Sequence, residues 1–287
     1  MPDYPRVMHA RARYGLLVAA TAAGGIALLR WLAFDVAAIH RRDALALHDF
    51  MGLDRPLTHG PANFVADLAN PVEFGLIGLA IIAVALIRRR PQLAVAAGVI
   101  LLGSAFTTDR ILKPAFATPR VAEVLGWHQI DGQAFPSGHA TASMALALSA
   151  VLVVGPRLRP FVVGIGALFA IAVSYSLLSL GWHYPSDVLG GYLVAAAWTG
   201  LAVAGLSLNA SPEAARRAIA RVDWVPALAV LVVVALLAVV GVALVSPNRA
   251  LDYLRTHEVM AAAAATIAAA GVAVAGGLGL LLRDRTD

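Results

Sequence analysis

The chain has 287 residues, of which 60% are hydrophobic and only 14% are charged, and its formal net charge is +5. Soluble globular domains carry roughly 25% charged residues, so this composition excludes a soluble protein and favours a helical membrane protein. There is no cysteine, which excludes disulfides, thiolate nucleophiles and cysteine metal sites. The arginines cluster in short loops between apolar segments, which is typical of membrane orientation rather than nucleic-acid binding.

Eight apolar segments in chain order predict transmembrane helices. A helix needs about 20 apolar residues to cross a bilayer, and it satisfies its own backbone hydrogen bonds there. The segments are 14–34, 72–88, 91–108, 138–155, 160–180, 187–207, 225–246 and 259–282. The more polar segment 35–71 is expected to form an outer loop or short helices lying on the membrane. The fold class predicted is therefore an all-α, polytopic membrane bundle.

Basic loops predict how the bundle is oriented. With eight spans, five arginine groups fall on one side: residues 6–13, 88–90, 157–159, 216–221 and 283–285. The positive-inside rule then places both termini in the cytoplasm. The first apolar segment has no clean small-residue cleavage site, so we interpret it as a retained helix rather than a signal peptide.

The first polar cluster lies at the end of the third predicted span. Lys113 and Arg120 frame it, and two cations can neutralise phosphate oxygens, Arg120 in bidentate fashion. Either cation alone could instead extend to lipid headgroups. Arg110 lies one helical turn before Lys113.

The second cluster, Pro136-Ser137-Gly138-His139, opens the fourth predicted span. Unpaired backbone N–H groups at a helix N-terminus attract anions. Glycine lets a phosphate approach the backbone closely, serine adds a hydroxyl donor, and histidine can protonate a departing oxygen. A capped helix start with an unrelated histidine would show the same four residues.

The third cluster begins the sixth predicted span and contains His183 and Asp187. A carboxylate near His183 can fix its tautomer and stabilise positive charge while the other ring nitrogen attacks. The pair alone is also compatible with a helix cap beside an interfacial histidine. The topology places all three clusters on the outer side, which favours one shared site.

The order and spacing of the clusters resemble the type 2 phosphatidic acid phosphatase superfamily of membrane lipid phosphatases. The matching pattern is Lys113-x6-Arg120, then Pro136-Ser-Gly-His139, then Ser176-x6-His183-x3-Asp187. The resemblance covers about residues 70–207. It implies a six-span phosphatase-like core within residues 1–207, followed in residues 208–287 by a cytoplasmic loop and a two-helix C-terminal extension.

The resemblance also implies a role for each motif residue. The catalytic residues would be His183, the nucleophile that forms a phosphohistidine, Asp187, its partner, and His139, the general acid. The phosphate-binding residues would be Lys113, Arg120, Ser137 and Gly138. No metal or other cofactor is implied, because basic side chains take the role that Mg²⁺ plays in kinases.

Two positions depart from the family pattern. Val121 follows Arg120 where the family usually has proline, and Leu177 follows Ser176 where the family has a phosphate-binding arginine. The loss of one charged donor to a transition state can lower a rate by on the order of 100-fold. Arg110 and Arg55 are candidate substitutes by position.

We therefore expect a metal-independent hydrolase of lipid phosphates in the plasma (inner) membrane, acting at the outer leaflet. The expected substrates are a polyprenyl (di)phosphate, phosphatidic acid or phosphatidylglycerol phosphate. The expected partners are the lipid substrate and membrane lipids; nothing indicates an oligomeric state. The alternatives are a lipid phosphotransferase using the same intermediate, or a weakened protein that only binds lipid phosphates. A transporter is disfavoured because transporter sites usually lie near the membrane midplane.

Overall fold

The computed structural model describes residues 4–208 and 247–282, and every regular element in these two ranges is helical. A π-helical turn, Thr107–Leu112, joins α5 to α6, and a short 3-10 turn spans Glu123–Leu125. The α-helices are α1 Tyr4–Asp35, α2 Ala37–Met51, α3 Pro56–Asp67, α4 Pro71–Ile87, α5 Pro91–Phe106, α6 Lys113–Ala115, α7 Gly138–Val153, α8 Arg159–Ser179, α9 Pro185–Leu208, α10 Pro247–Thr256 and α11 Glu258–Leu281.

Proline marks the start of four of the helices within residues 4–208. The first turn of a helix leaves its N–H groups unpaired, so the N–H that proline lacks costs nothing there, and its fixed φ suits the helix. The four prolines are Pro56, Pro71, Pro91 and Pro185. The polar segment between the first two predicted spans forms α2 and α3, which confirms the expected short helices.

Five of the described helical segments are long and apolar enough to cross a membrane. They are His9–Asp35, Pro91–Ala115, Arg159–Ser179, Pro185–Leu208 and Glu258–Leu281. The pair α3 and α4 would count as a sixth, although its two helices meet at a bend of 53°. Helix α7 is apolar but has only 16 residues. The predicted span 225–246 lies outside the described residues, so an all-helical fold with several candidate membrane spans is confirmed but the count of eight spans is not.

Small residues let α1 pack tightly on α9. A Cβ atom built on Gly15 would lie 2.6 Å from the carbonyl oxygen of Gly200, and one built on Gly200 would lie 2.5 Å from that of Gly15. Lipid tails are as apolar as the helix surfaces, so the hydrophobic effect does not drive helices together in a membrane. Close packing of backbones at glycine is a common way for helices to associate there. The first helix is thereby joined to the helix that carries Asp187.

The C-terminal helix α11 packs against α8. Its residues Ile267 and Gly271 are buried, and the hydroxyl of Tyr175 on α8 donates to the carbonyl oxygen of Ala264 at 2.7 Å. Helix α11, which lies beyond residue 207, is therefore in direct contact with the part of the chain that resembles the family.

The bundle has two chemically different ends. At one end, Arg88 donates to the carbonyl oxygen of Val153 at 2.7 Å, at the C-terminus of α7. The opposite end of α7 begins at Gly138, about 24 Å away for a helix of this length. The basic loops around residues 88–90 and 157–159 are thus separated from the end that carries the motifs, as the sequence predicts.

Candidate active site

Lys113 lies at the N-terminus of α7. Its Nζ forms an ion pair with Oδ1 of Asp109 at 2.8 Å, across the π-helical turn. A Cβ atom built on Gly138 would lie 3.2 Å from this Nζ, so the ammonium lies against the first residue of α7. An ammonium group and unpaired helix N–H groups lie side by side here, and both attract anions.

Ser137 fixes the start of α7 and joins it to α9. Its hydroxyl accepts a hydrogen bond from the backbone N–H of Ala140 at 3.3 Å, as expected of an N-cap serine. Its own backbone N–H donates to the carbonyl oxygen of Asp187 at 2.9 Å. The second and third motifs are therefore joined through the backbone, and the Ser137 hydroxyl keeps a proton to donate.

His139 contacts one residue outside the motifs and one within the third motif. Its Nε2 lies 2.8 Å from Oδ1 of Asn70, which lies between α3 and α4. Its ring packs against Trp182 with the ring centroids 5.7 Å apart. The histidine is thus held between the bent helix pair and the loop that carries the third motif.

His183 and Asp187 lie one turn apart at the start of α9. Nδ1 of His183 is 3.6 Å from Oδ2 of Asp187, which is too long for a hydrogen bond. That carboxylate oxygen accepts instead from the backbone N–H of Tyr184 at 2.9 Å. Catalytic hydrogen bonds are often long in ligand-free structures and tighten on binding, so the pair has the arrangement of a base and its orienting acid.

Arg120 is engaged by acidic and hydroxyl side chains rather than exposed to a ligand. Its Nη1 lies 3.1 Å from Oδ2 of Asp43 and donates to Oγ of Ser186 at 3.0 Å, while Nη2 donates to Oδ1 of Asp187. The guanidinium also lies over the ring of Tyr184, 4.0 Å from its centroid. Arg120 is therefore buried beside Asp187 and forms an ion pair with its carboxylate, which is fully buried.

Asp43 is a site residue that the sequence analysis missed. It comes from α2, is buried, and accepts from the backbone N–H of Ser186 at 3.0 Å and from its hydroxyl at 2.5 Å. Burial raises the pKa of the Asp43 carboxyl from 3.8 to about 6, against the opposing charge of Arg120 and with the charge of Asp187 adding to the rise. The sequence does not single out Asp43, because α2 also carries the acidic residue Asp49.

The remaining candidates do not supply a further cation to this cluster. Leu177 is fully buried in the main apolar core, so the position of the missing arginine is not a vacant cation site. Arg110 is exposed and forms no ion pair or hydrogen bond within the described part of the chain. Arg55 is exposed at the start of α3, and its charge acts on Tyr253 of α10. Within the described residues, the side chain of neither arginine forms an ion pair or hydrogen bond with a motif residue.

The structure thus brings seven predicted residues to one end of the bundle. They are Lys113, Arg120, Ser137, Gly138, His139, His183 and Asp187. Among residues 4–208 and 247–282, there is no group of three or more histidine, aspartate or glutamate side chains placed to hold a metal ion. Two histidines, a carboxylate and a helix start that can attract an anion lie together, and these are groups that can serve phosphoryl transfer.

Comparison with known proteins places this cluster in a family context. Residues 92–211 match the family model described as the PAP2 superfamily. Phosphatidylglycerophosphatase B of Escherichia coli K12 is 38% identical over 78 residues, as are the proteins of that name in Escherichia coli O157:H7 and Shigella flexneri. The match spans 27% of this chain and only 30% of the length of those relatives. No solved structure shows significant similarity. The chain therefore carries a PAP2 superfamily segment, and this segment contains all seven clustered residues. The resemblance drawn from the motifs is confirmed.

Proposed function

We propose that this protein hydrolyses a phosphate monoester or diphosphate of a membrane lipid through a phosphohistidine intermediate. One observation carries the proposal: Lys113, the N-terminus of α7, His139 and the His183–Asp187 pair meet at one end of a membrane helix bundle. The family match supports a membrane phosphatase of the PAP2 superfamily. The phosphohistidine intermediate and the lipid substrate are proposed in addition.

The chemistry follows from the placement of the two histidines. With Nδ1 directed to Asp187, Nε2 of His183 is the nitrogen that attacks phosphorus. The P–O bond to the lipid breaks, its electron pair stays on the leaving oxygen, and protonated His139 supplies a proton to that oxygen. Water then attacks the phosphorus, neutral His139 takes the proton that the water loses, and the P–N bond to His183 breaks. Inorganic phosphate is released, and both histidines return to their starting protonation states.

The phosphoryl group is held on the side of Lys113 in this proposal. The Lys113 ammonium, the N–H groups that open α7 and the Ser137 hydroxyl offer the donors, so no metal is needed to counter the developing charge. Arg120, predicted to hold phosphate directly, acts instead through Asp187, because its Nη atoms are already bound by Asp43, Ser186 and Asp187.

We further propose eight spans, a six-span core in residues 1–207 with a two-span extension, both termini in the cytoplasm, and a site on the outer face of the plasma membrane. The separation of the motif end from the arginine loops at 88–90 and 157–159 supports this orientation. Because the chain lacks cysteine, single cysteines test it directly. An impermeant thiol reagent added to intact cells should label Trp127→Cys but not Arg89→Cys, and the reverse pattern contradicts the topology.

The decisive assay measures inorganic phosphate released by purified protein in mixed micelles. The panel contains phosphatidylglycerol phosphate, phosphatidic acid and a polyprenyl diphosphate, the first being favoured by the name of the matched relatives. His183→Ala is expected to abolish release from every substrate, because the nucleophile is gone. His48→Ala, an exposed histidine of α2, is the matched control and should retain full activity. Full activity of His183→Ala would show that the mechanism is wrong.

A second candidate function is lipid-phosphate binding without turnover. The observation that favours it is the buried Leu177, since no arginine within the described residues takes the place of the missing phosphate donor. Binding of a lipid phosphate with no phosphate release from any member of the panel would select this candidate. Transfer to an added alcohol, with no release in its absence, would select the phosphotransferase instead.

A further inference from the structure

Asn70 contacts the motif histidine His139 from outside the motifs. Its Oδ1 lies 2.8 Å from Nε2 of His139, and its Nδ2 donates to Oδ1 of Asp67 at 3.0 Å. The residue lies at the 53° bend between α3 and α4, 69 positions before His139 in the chain. The two ends of one planar amide are therefore bound by two different side chains.

The contact with Asp67 decides which way the Asn70 amide faces. An ionised carboxylate only accepts hydrogen bonds, so the amide NH₂ must face Asp67 and the amide oxygen must face His139. That oxygen can only accept, so Nε2 of His139 must carry a proton. A neutral His139 is consequently protonated on Nε2 and free of a proton on Nδ1.

The usual structural role of an asparagine at this position is absent. Asn70 is the N-cap residue of α4, where an asparagine side chain normally accepts a hydrogen bond from a helix N–H. Its side chain makes no such bond here. The side chain is instead committed to Asp67 and His139, so its effect falls on the histidine rather than on the helix start.

We propose that Asn70 is a positioning residue that holds a proton on Nε2 of His139, so that the proton delivered to the leaving group is the one on Nδ1. The inference rests on the proposed function. As the P–O bond to the lipid breaks, its electron pair stays on the leaving oxygen. The Nδ1–H bond of the imidazolium then breaks, its proton moves to that oxygen, and the neutral ring remains bound through Nε2–H to Asn70. Asp67 orients Asn70 for this task.

Replacing Asn70 by leucine removes the acceptor and should slow the acid step. We expect kcat for phosphate release to fall about 10- to 100-fold, with KM nearly unchanged, because the donor is misoriented while the phosphate-binding groups are intact. Asn63→Leu is the matched control on α3, where the amide donates only to the backbone oxygen of His59 at 3.2 Å. It should leave both constants unchanged.

Two further variants distinguish positioning from a general loss of structure. Asp67→Asn, at an exposed position, releases the amide orientation and should give a smaller fall in kcat. Asn70→Asp keeps an acceptor and should recover much of the kcat lost in Asn70→Leu. The added negative charge also stabilises the imidazolium, so the alkaline limb of the pH profile should move to higher pH. The other charged groups facing His139 are His183, Lys113, Asp67 and Asp109, and all are retained in Asn70→Asp.

A readout that does not depend on activity separates this inference from the proposed function. In protein labelled with ¹⁵N-histidine, the His139 signals are those lost in His139→Gln. The wild type should show one tautomer with the proton on Nε2, and Asn70→Leu should show a mixture. A mixture in the wild type, a change in KM alone, or an equal kcat loss in Asn63→Leu would overturn the inference. A fixed tautomer in a protein that releases no phosphate would instead overturn the proposed function.

Discussion

Lys113 and Arg120 are the two cations of one motif, yet they lie in opposite environments. The Lys113 side chain is 25% exposed and its carboxylate partner, Asp109, is 53% exposed. The Arg120 side chain is 5% exposed, between Asp43 and Asp187, which are 7% and 0% exposed. The spacing of the motif predicts the same phosphate-binding role for both cations, but their different burial indicates different roles. Lys113 remains available to an anion, whereas Arg120 is part of the framework that holds Asp187.

The largest expected effect is that of replacing the buried cation, in the variant Arg120→Met. Removal of the arginine leaves Asp43 and Asp187 as uncompensated buried carboxylates, and breaking a buried ion pair in this way costs about 3–5 kcal/mol. We expect a large drop in the thermal unfolding temperature of the detergent-solubilised protein. An unfolding temperature equal to that of the wild type would show that Arg120 does not stabilise the two buried carboxylates.

Lys113→Met replaces the more exposed cation, and it should lower activity without lowering stability. The lost ion pair with Asp109 is exposed and worth about 0–1 kcal/mol, so the unfolding temperature should hardly change. Loss of a charged donor to the transferred phosphoryl group should lower kcat for phosphate release by on the order of 100-fold. If Lys113→Met is as unstable as Arg120→Met, the distinction between the two sides fails.

The motif end of the fold could be predicted from sequence because the relevant signals are local. A polar cluster at the end of an apolar segment indicates a helix terminus, and the termini of α5, α7 and α9 meet as expected. The bent pair α3 and α4 and the short α7 could not be predicted in the same way, because apolar composition fixes neither helix length nor helix direction.

Three contacts of the site could not be predicted because they depend on tertiary packing alone. Asp43 and Asn70 come from a helix and a bend with no motif of their own, and only the folded bundle places them beside Ser186 and His139. The engagement of Arg120 was missed for the same reason, since its spacing from Lys113 does not reveal which side chains surround it. Burial and pairing, rather than residue type, determine what each charge does.

Asp43→Asn tests the buried side through pH. The raised pKa of the Asp43 carboxyl means that the folded state holds a proton between about pH 3.8 and about pH 6 that the unfolded chain has lost. The free energy of unfolding should therefore fall as the pH rises through this window and level off above it, by on the order of 2 kcal/mol. Asparagine does not titrate, so this slope should be absent in Asp43→Asn. Thermal unfolding measured from pH 4 to pH 7 checks it, and an unchanged slope would assign the proton elsewhere.

The smallest expected effect concerns the competition for Lys113 on the open side. Asp109 occupies the Lys113 ammonium at 2.8 Å, so an incoming phosphate must displace that carboxylate or share the cation with it. Asp109→Asn removes the competing charge, and the unfolding temperature should change by little because the pair is exposed. Inorganic phosphate should inhibit this variant at a concentration about two- to fivefold lower than the wild type, which is the affinity equivalent of a surface ion pair. Asp252→Asn, which removes an exposed carboxylate of α10 from its partner Arg255, should leave inhibition unchanged. Weaker inhibition in Asp109→Asn would mean that Asp109 orients Lys113 toward phosphate rather than competing for it.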